Sequence, residues 1–265
     1  MKLLLALLAA AVAPAGHATV WAVGDGANGS APSKAVAAMV ARDDPARFLY
    51  LGDVYPAGSA AAFRRAYDPV YGRLARRTAP TPGNHDWGLR AQGYFPYWKR
   101  KLGRSVPSWY TFTLGGWQIL SLNSEAPHGP GSPQLAWLHR QLAAPGTCRL
   151  AFWHRPHYSA GTVHGDAPDT APLWDALQGH ATLVLNGHEH DLQRFAPRDG
   201  MVEIVAGAGG NGHYALKGGV SGLTFGDATH YGAARMDLQP GSAHVTLVAA
   251  GGKQLDAVDV PCSPG

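Results

Sequence analysis

The sequence predicts a layered α/β protein whose two β-sheets pack on each other. Short apolar runs alternate with helical segments through the first half of the 265-residue chain, and strands dominate from residue 201 onwards. Several apolar runs end directly at polar side chains, which is typical of layered α/β proteins, where sites form beyond the carboxyl ends of strands. The 34 glycines and 20 prolines favour many turns over long helices.

The elements of the first half follow from apolar runs and from the residues that begin and end helices. Strands are predicted at residues 19–23, 47–51 and 78–81. A helix at residues 33–41 begins at Ser33, a favourable cap, and ends before Asp43-Asp44-Pro45. A basic helix is predicted at residues 59–77, with an interruption near Asp68-Pro69.

The second half opens with a predicted hairpin and then becomes rich in strands. Gly115-Gly116 separates two apolar segments, residues 109–114 and 117–122, as a two-residue hairpin turn. Helices are predicted at residues 132–144, where serine caps and proline follows, and at residues 170–178. The remaining strands are predicted at residues 149–153, 181–185, 201–206, 230–238, 243–249 and 254–260.

The composition indicates one domain that follows an export signal. Residues 1–18 combine Lys2 with a short apolar stretch and small residues, so we expect a signal peptide followed by a single domain at residues 19–265. The apolar stretch is too short for a membrane anchor, and the predicted location is secreted or periplasmic. The formal charge of +4 is too small to indicate a stable nucleic-acid partner. No oligomeric state is predicted.

The two cysteines of the chain are Cys148 and Cys262. In an exported protein an even number of cysteines favours a disulfide, which here would attach the C-terminal tail to the core. The alternative is one buried thiol and one unpaired cysteine near the C-terminus.

Six residues with metal-ligand chemistry lie where apolar runs end. They are Asp25, Asp53, Asn84, His154, His188 and His190. Two carboxylates, one amide oxygen and three imidazoles suit Fe, Mn or Zn, and the set lacks the thiolates of a structural zinc site. A carboxylate that bridges two ions about 3.5–4 Å apart creates a clamp for in-line displacement at phosphorus, and the two ions acidify a bridging water, which gives a hydroxide nucleophile. The pattern therefore predicts a site for two metal ions.

His85 and Asp86 follow the predicted ligand Asn84 and have a different predicted role. His85 is placed beside the metals without being a ligand, a position that suits protonation of a leaving alkoxide. Asp86 is the candidate to orient the His85 ring.

The motifs, taken in order, resemble those of the calcineurin-like metallophosphoesterase superfamily. They are Gly24-Asp25, Gly52-Asp53, Gly83-Asn84-His85-Asp86, His154 and Gly187-His188-Glu189-His190. Within this superfamily, residues 117–125, 150–161 and 183–197 resemble secreted bacterial members related to purple acid phosphatases. The resemblance implies the metallo-dependent phosphatase fold, a four-layer sandwich of two mixed β-sheets flanked by helices.

The resemblance also implies a role for each ligand. Asp25 and His190 would bind the first metal, and Asp53 would bridge the two. The second metal would be bound by Asn84, His154 and His188, and His85 would be the general acid.

The chain departs from the superfamily pattern around the first metal. Many members have a histidine two residues after the first aspartate, but Ala27 occupies that position here. Purple acid phosphatases use a tyrosine three residues after the bridging aspartate, whereas Tyr55 follows Asp53 by two. Because side chains alternate faces in extended backbone, the shift of one residue leaves metal binding by Tyr55 open.

Two further residues are candidates for binding the substrate. His164 lies in a loop that resembles the loop of purple acid phosphatases that carries substrate-facing histidines. The alternative is that His164 is an exposed loop histidine without a role in binding. Arg155 is adjacent to His154 and would bind phosphate or pair with a neighbouring carboxylate.

The leading hypothesis is an exported metallohydrolase that cleaves small phosphate monoesters by hydroxide attack at phosphorus, with His85 as general acid. A second hypothesis retains the site and changes the substrate to a phosphodiester. A third is a non-catalytic protein with a decayed metal site that binds phosphate or a partner. Retention of Asp53, Asn84 and His85 favours catalysis.

Overall fold

Two mixed β-sheets form the centre of the protein in a computed structural model that describes residues 16–144 and 148–262. The strands are β1 (Ala18–Val23), β2 (Arg47–Tyr50), β3 (Thr78–Pro80), β4 (Tyr110–Leu114), β5 (Trp117–Ser121), β6 (Cys148–Phe152), β7 (Leu183–Asn186), β8 (Leu192–Phe195), β9 (Val202–Ala206), β10 (Leu223–Asp227), β11 (Gly232–Gln239), β12 (Ser242–Ala249) and β13 (Gln254–Pro261). The α-helices are α1 (Ala31–Arg42), α2 (Ala60–Ala62), α3 (Asp68–Tyr71), α4 (Asn84–Trp87), α5 (Tyr94–Leu102), α6 (Pro133–Leu142) and α7 (Ala171–Leu177).

The first sheet has six strands in the order β13-β12-β11-β1-β2-β3. β1, β2 and β3 are parallel, while β11 pairs antiparallel with β1 and continues into an antiparallel meander of β12 and β13. The carboxyl ends of three consecutive parallel strands therefore lie side by side, and the segments that follow them reach the same edge of the sheet.

The second sheet has seven strands in the order β10-β8-β9-β7-β6-β5-β4. Its centre, from β9 through β7 and β6 to β5, is parallel, and antiparallel strands complete both sides. At the predicted turn between β4 and β5, Gly115 and Gly116 have φ of 60° and 80°, which two-residue hairpins of this kind require. That prediction agrees with the structure.

Three apolar clusters separate four layers. The central cluster lies between the sheets and includes Ala22 and Leu49 from the first sheet and Leu150 and Ile204 from the second. A second cluster packs α1, α5 and the helical segment 60–77 on the outer face of the first sheet. A third packs α6 and α7 on the second sheet. The predicted sandwich of two mixed sheets flanked by helices is confirmed.

The helical segment 60–77 differs from the prediction of a helix interrupted near Asp68-Pro69. Helical backbone continues through this point, but its geometry changes from a π turn at Phe63–Tyr67 to α3 and then to a 3₁₀ segment at Gly72–Arg77. Pro69 lies in the first turn of α3, where a missing N–H costs little. Strands β8 and β10 were not predicted.

A disulfide joins Cys148, at the start of β6, to Cys262, just after β13. The predicted pairing is confirmed, and the bond links a strand of the second sheet to the edge of the first.

The predicted signal peptide lies almost wholly outside the described residues, and its last residue, Ala18, begins β1. Within the described part of the chain, no helix combines the length and the apolar character needed to span a bilayer.

Candidate metal centre

Three of the predicted ligands have left-handed backbone. The φ angles of Asp25, Asp53 and His188 are 59°, 69° and 71°, which is uncommon outside glycine. Each follows a strand, and the sharp turn directs its side chain across the strand ends. Strained backbone of this kind persists where the surrounding structure over-determines it, which is typical of functional sites.

A first group of donor atoms gathers around the Tyr55 hydroxyl. It lies 3.0 Å from Asp25 Oδ1, 3.3 Å from Asp53 Oδ2 and 2.9 Å from His190 Nε2. The His190 Nε2 atom is 3.6 Å from Asp25 Oδ1. The phenol therefore points into the site, so the shift of one residue in the sequence does not turn it away.

A second group of donor atoms gathers around His154 Nε2. This atom lies 2.9 Å from Asn84 Oδ1, 3.1 Å from His188 Nδ1 and 3.5 Å from Asp53 Oδ1. Asp53 thus presents one carboxylate oxygen to each group. The structure brings together all seven residues predicted as ligands.

The orientation of the imidazoles leaves nitrogen lone pairs in the site. His154 Nδ1 donates to the Leu51 carbonyl at 2.8 Å and His190 Nδ1 donates to the Gly212 carbonyl at 2.7 Å, which directs Nε2 of both rings into the site. Burial lowers the pKa of His190 to about 4. Burial and the neighbouring His154 lower the pKa of His188 as well, so these rings are neutral near pH 7.

Carboxylate oxygens, an amide oxygen and imidazole nitrogens therefore converge, with the Tyr55 hydroxyl donating to Asp25 Oδ1, and this arrangement fits cations. Donor atoms of the buried residues Asp25, Asp53 and His154 all lie within 4.8 Å of one another. Burial and the Asp53 carboxylate raise the pKa of Asp25, as expected for two carboxylates that lie close together away from water. The mixture of nitrogen and oxygen donors suits the borderline ions Fe, Mn or Zn.

His85 lies at the solvent side of the shared carboxylate. Its Nδ1 donates to the Pro56 carbonyl at 2.6 Å, its Nε2 is 3.8 Å from Asp53 Oδ2, and its side chain is 37% exposed. The backbone N–H of His85 donates to Asp53 Oδ1 at 2.9 Å. At Gly83, two residues before His85, a Cβ would lie 2.1 Å from Asp53 Oδ1, so glycine is needed there.

Asp86 corrects the expectation that it orients the His85 ring. Its buried carboxylate accepts from the backbone N–H groups of Asp53 at 2.9 Å, Gly83 at 3.0 Å and Val54 at 3.1 Å. Adjacent residues of a helix point in different directions, so in α4 the two side chains face different partners. Asp86 joins the loop that follows β2 to the loop that follows β3, and the Pro56 carbonyl holds the ring.

The two predicted substrate-binding residues line one cavity together with His188. The His164 ring stacks on His188 with ring centroids 4.1 Å apart. Arg155 pairs with Glu125 through contacts of 2.7 and 3.2 Å, which is the alternative that the sequence left open. The pairing fixes the guanidinium at the cavity wall.

Glu189 and Tyr214 belong to the site and were not predicted. The buried Glu189 Oε1 accepts from the backbone N–H groups of His164 at 3.0 Å and Gly165 at 2.5 Å. At Gly161 a Cβ would meet the Glu189 carboxyl group at 2.2 Å, so glycine makes room for this acid. The Tyr214 ring stacks on His190 with centroids 3.9 Å apart. The position of Glu189 between two histidines was the sequence feature that could have indicated its role, but only the fold shows that it is buried.

Residues 17–192, well over half of the chain, match the family model described as calcineurin-like phosphoesterase. The chain belongs to the calcineurin-like phosphoesterase family. The predicted family membership is confirmed, and so is the dependence of this class on two metal ions.

Several purple acid phosphatases are similar to this calcineurin-like phosphoesterase. It is 25% identical to probable purple acid phosphatase 20 of Arabidopsis thaliana, over 68% of this chain and 48% of that protein. It is 28% identical to tartrate-resistant acid phosphatase type 5 of Rattus norvegicus, over 99% of this chain and 96% of that protein. The structure of purple acid phosphatase PPD1 from yellow lupin shares the fold with a TM-score of 0.77 at 15% identity, over 92% of this chain and 54% of that one. This chain thus spans about half the length of the Arabidopsis and lupin proteins.

Proposed function

We propose that this protein is an exported phosphomonoesterase that depends on two metal ions. The observation that carries the proposal is the pair of donor groups that share Asp53, with His85 at their solvent side. The acid-phosphatase names of the Arabidopsis and rat relatives favour a monoester. The disulfide between Cys148 and Cys262 favours an oxidising compartment and therefore export.

The described residues divide into ligands for two ions. One ion would be held by Asp25, Tyr55 and His190, the other by Asn84, His154 and His188, and both by Asp53. Ions bound there supply Lewis-acid polarisation of a phosphoryl group and acidify water.

His164 and Arg155 are suited to orient a phosphate group above the second set of donors. Burial and the nearby Arg155 lower the pKa of His164, so near pH 7 its ring contributes a hydrogen bond and Arg155 contributes the positive charge. Glu125 holds the guanidinium and Glu189 holds the backbone of His164, so both groups are positioned before substrate arrives.

His85 is suited to protonate the leaving oxygen. With Nδ1 held by the Pro56 carbonyl, the protonated ring keeps Nε2–H directed towards the open side of Asp53. The leaving group departs towards solvent, where a side chain that is 37% exposed can regain its proton from water.

Turnover of two model esters by the metal-loaded protein tests the proposal. We expect hydrolysis of p-nitrophenyl phosphate to exceed that of bis-p-nitrophenyl phosphate, and metal analysis to give two ions per chain. His85→Ala should lower kcat by roughly 100- to 10,000-fold. His139→Ala, which changes an exposed histidine of α6, is the matched control and should keep full activity.

Each contrary outcome identifies a different error. A preference for the diester would establish a phosphodiesterase that uses the same site. Absence of turnover with both ions bound would favour a non-catalytic phosphate-binding protein, and full activity in His85→Ala would exclude that residue as the acid.

A further inference from the structure

A cavity lies between β3, the edge strand of the first sheet, and β4, the edge strand of the second. It is lined by Arg47 at the start of β2, Thr78 at the start of β3 and Tyr110 at the start of β4. None of the residues that line the cavity is one of the predicted metal ligands. The cavity is therefore a separate place in the molecule.

Arg47 stands out among the half-buried arginines because its side chain has no hydrogen-bond acceptor among the described residues. Its Nε is buried and unpartnered, and its guanidinium lies 5.2 Å from the centre of the Phe112 ring. The other half-buried arginines in the described ranges each donate to a carboxylate or a carbonyl. They are Arg77, Arg90, Arg155, Arg194, Arg198 and Arg235. A partly desolvated guanidinium without an acceptor is costly, so a ligand that accepts from it would be stabilising.

Arg104 adds a second positive charge to the same cavity. Neither Arg104 nor Arg47 takes part in an ion pair within the described residues. Burial lowers the pKa of Arg47, and the nearby charge of Arg104 lowers it further, as expected for two cations held close together without an acid. Two guanidinium groups that line one cavity can both donate to the oxygen atoms of a carboxylate or phosphate head.

An apolar part of the wall is formed by Leu102, Val106 and the rings of Tyr110 and Phe112, beside Thr78 and Thr111. The Tyr110 hydroxyl is already used, since it donates to the Pro80 carbonyl at 2.9 Å. We propose that this cavity is a second binding site, specific for an organic oxyanion whose charged head contacts Arg47 and Arg104 and whose apolar body lies on these side chains. The site is independent of the metal centre and of the reaction there.

Calorimetric titration of the metal-loaded protein with phenylphosphonate, which has a charged head and an aromatic body, tests the site. We expect two binding events, one at the metal centre and one in the cavity. Arg104→Gln, a change of an exposed side chain, should weaken one event by roughly 10- to 100-fold and leave the other unchanged. Arg47→Gln should have the same effect.

The control is Arg100→Gln, which removes a positive charge from the adjacent α5 but does not line this cavity. It should keep both events, and the inhibition of p-nitrophenyl phosphate hydrolysis by phenylphosphonate should be equal in all four proteins. Whether one event or two are seen, the proposal would be overturned if no event were weakened in Arg47→Gln and Arg104→Gln. If phenylphosphonate did not bind at the metal centre, the titration would show only the cavity event, and the arginine variants should still weaken it.

Discussion

Glu189 and Glu203 are buried glutamates that hold one loop by the same kind of contact, and they form a matched pair for mutation. Glu189 accepts from the N–H groups of His164 at 3.0 Å and Gly165 at 2.5 Å. Glu203 accepts from the N–H groups of His157 at 2.8 Å and of the next residue at 3.0 Å. Both acids support the segment between His154 and residue 167, but only Glu189 holds the part that carries His164.

The Glu189→Ala and Glu203→Ala variants should lose similar stability. Each leaves two backbone N–H groups without their acceptor, at about 1–3 kcal/mol for each buried group. Because the backbone at His164 is close to solvent and can be hydrated, we expect the free energy of unfolding to fall by about 2–4 kcal/mol rather than the full sum. Urea denaturation of both variants measures this loss.

The two variants should differ in catalysis. Without Glu189, His164 is no longer held over His188, and a displacement of about 1 Å at such a site costs on the order of 100-fold. We expect Glu189→Ala to lower kcat/KM by roughly 10- to 100-fold, mainly through KM, and Glu203→Ala to change it less than about 3-fold. In Glu189→Gln, whose amide oxygen can still accept from both N–H groups, most activity should return.

The reasoning would be refuted if Glu189→Ala kept the wild-type KM and kcat, or if Glu203→Ala lost as much activity at equal stability. Metal analysis of each variant separates displacement of His164 from loss of an ion, because the expected ion content is that of the wild type.

Three further predictions address stability, the metal centre and pH. Replacing Cys148 and Cys262 by serine opens a loop with a sequence separation of 114 residues and should lower the free energy of unfolding by at most about 5 kcal/mol in urea denaturation; an unchanged denaturation midpoint would contradict this. In iron-loaded protein, Tyr55→Phe should abolish the visible absorption band of a phenolate ligand while the iron content stays within about 2-fold, and retention of the band would show that the phenol does not bind. Burial raises the pKa of Glu203 to about 8, so the folded state keeps a proton that the unfolded state releases. The free energy of unfolding should therefore fall by up to about 1.4 kcal/mol per pH unit between about pH 4.5 and 8 from this group, and the slope should be smaller in Glu203→Gln than in the wild type over the same range.

The sequence was sufficient to bring the predicted ligands to one place because the predicted strands before them have plain apolar runs. Parallel strands bring their carboxyl ends together, so positions such as Asp53 and His154 could be brought to one edge without knowledge of distances.

The orientation of the Tyr55 side chain could not be predicted from the sequence pattern. Side chains alternate faces only in extended backbone, but the φ of 69° at Asp53 turns the chain there, so alternation does not apply to Tyr55. Left-handed backbone at an aspartate has no reliable sequence signature.

Asp86 and Glu189 show a second limit. Adjacency in sequence suggested that Asp86 contacts His85, whereas its partners are N–H groups contributed by two loops. The partners of Glu189 lie 24 and 25 residues away along the chain. Contacts between a buried acid and distant backbone depend on the tertiary fold, which local patterns do not encode.

With a metal ion bound, the two sheets would be joined at both ends of the same strand. At the start of β6, the bond between Cys148 and Cys262 crosses from the second sheet to the first. Just beyond the end of β6, an ion held by His154 and His188 of the second sheet and Asn84 of the first would cross the seam again. Sliding of one sheet over the other would therefore be resisted from both directions. Reduction and chelation should each release one end, and the loss of rigidity on applying both should exceed the sum of the separate effects.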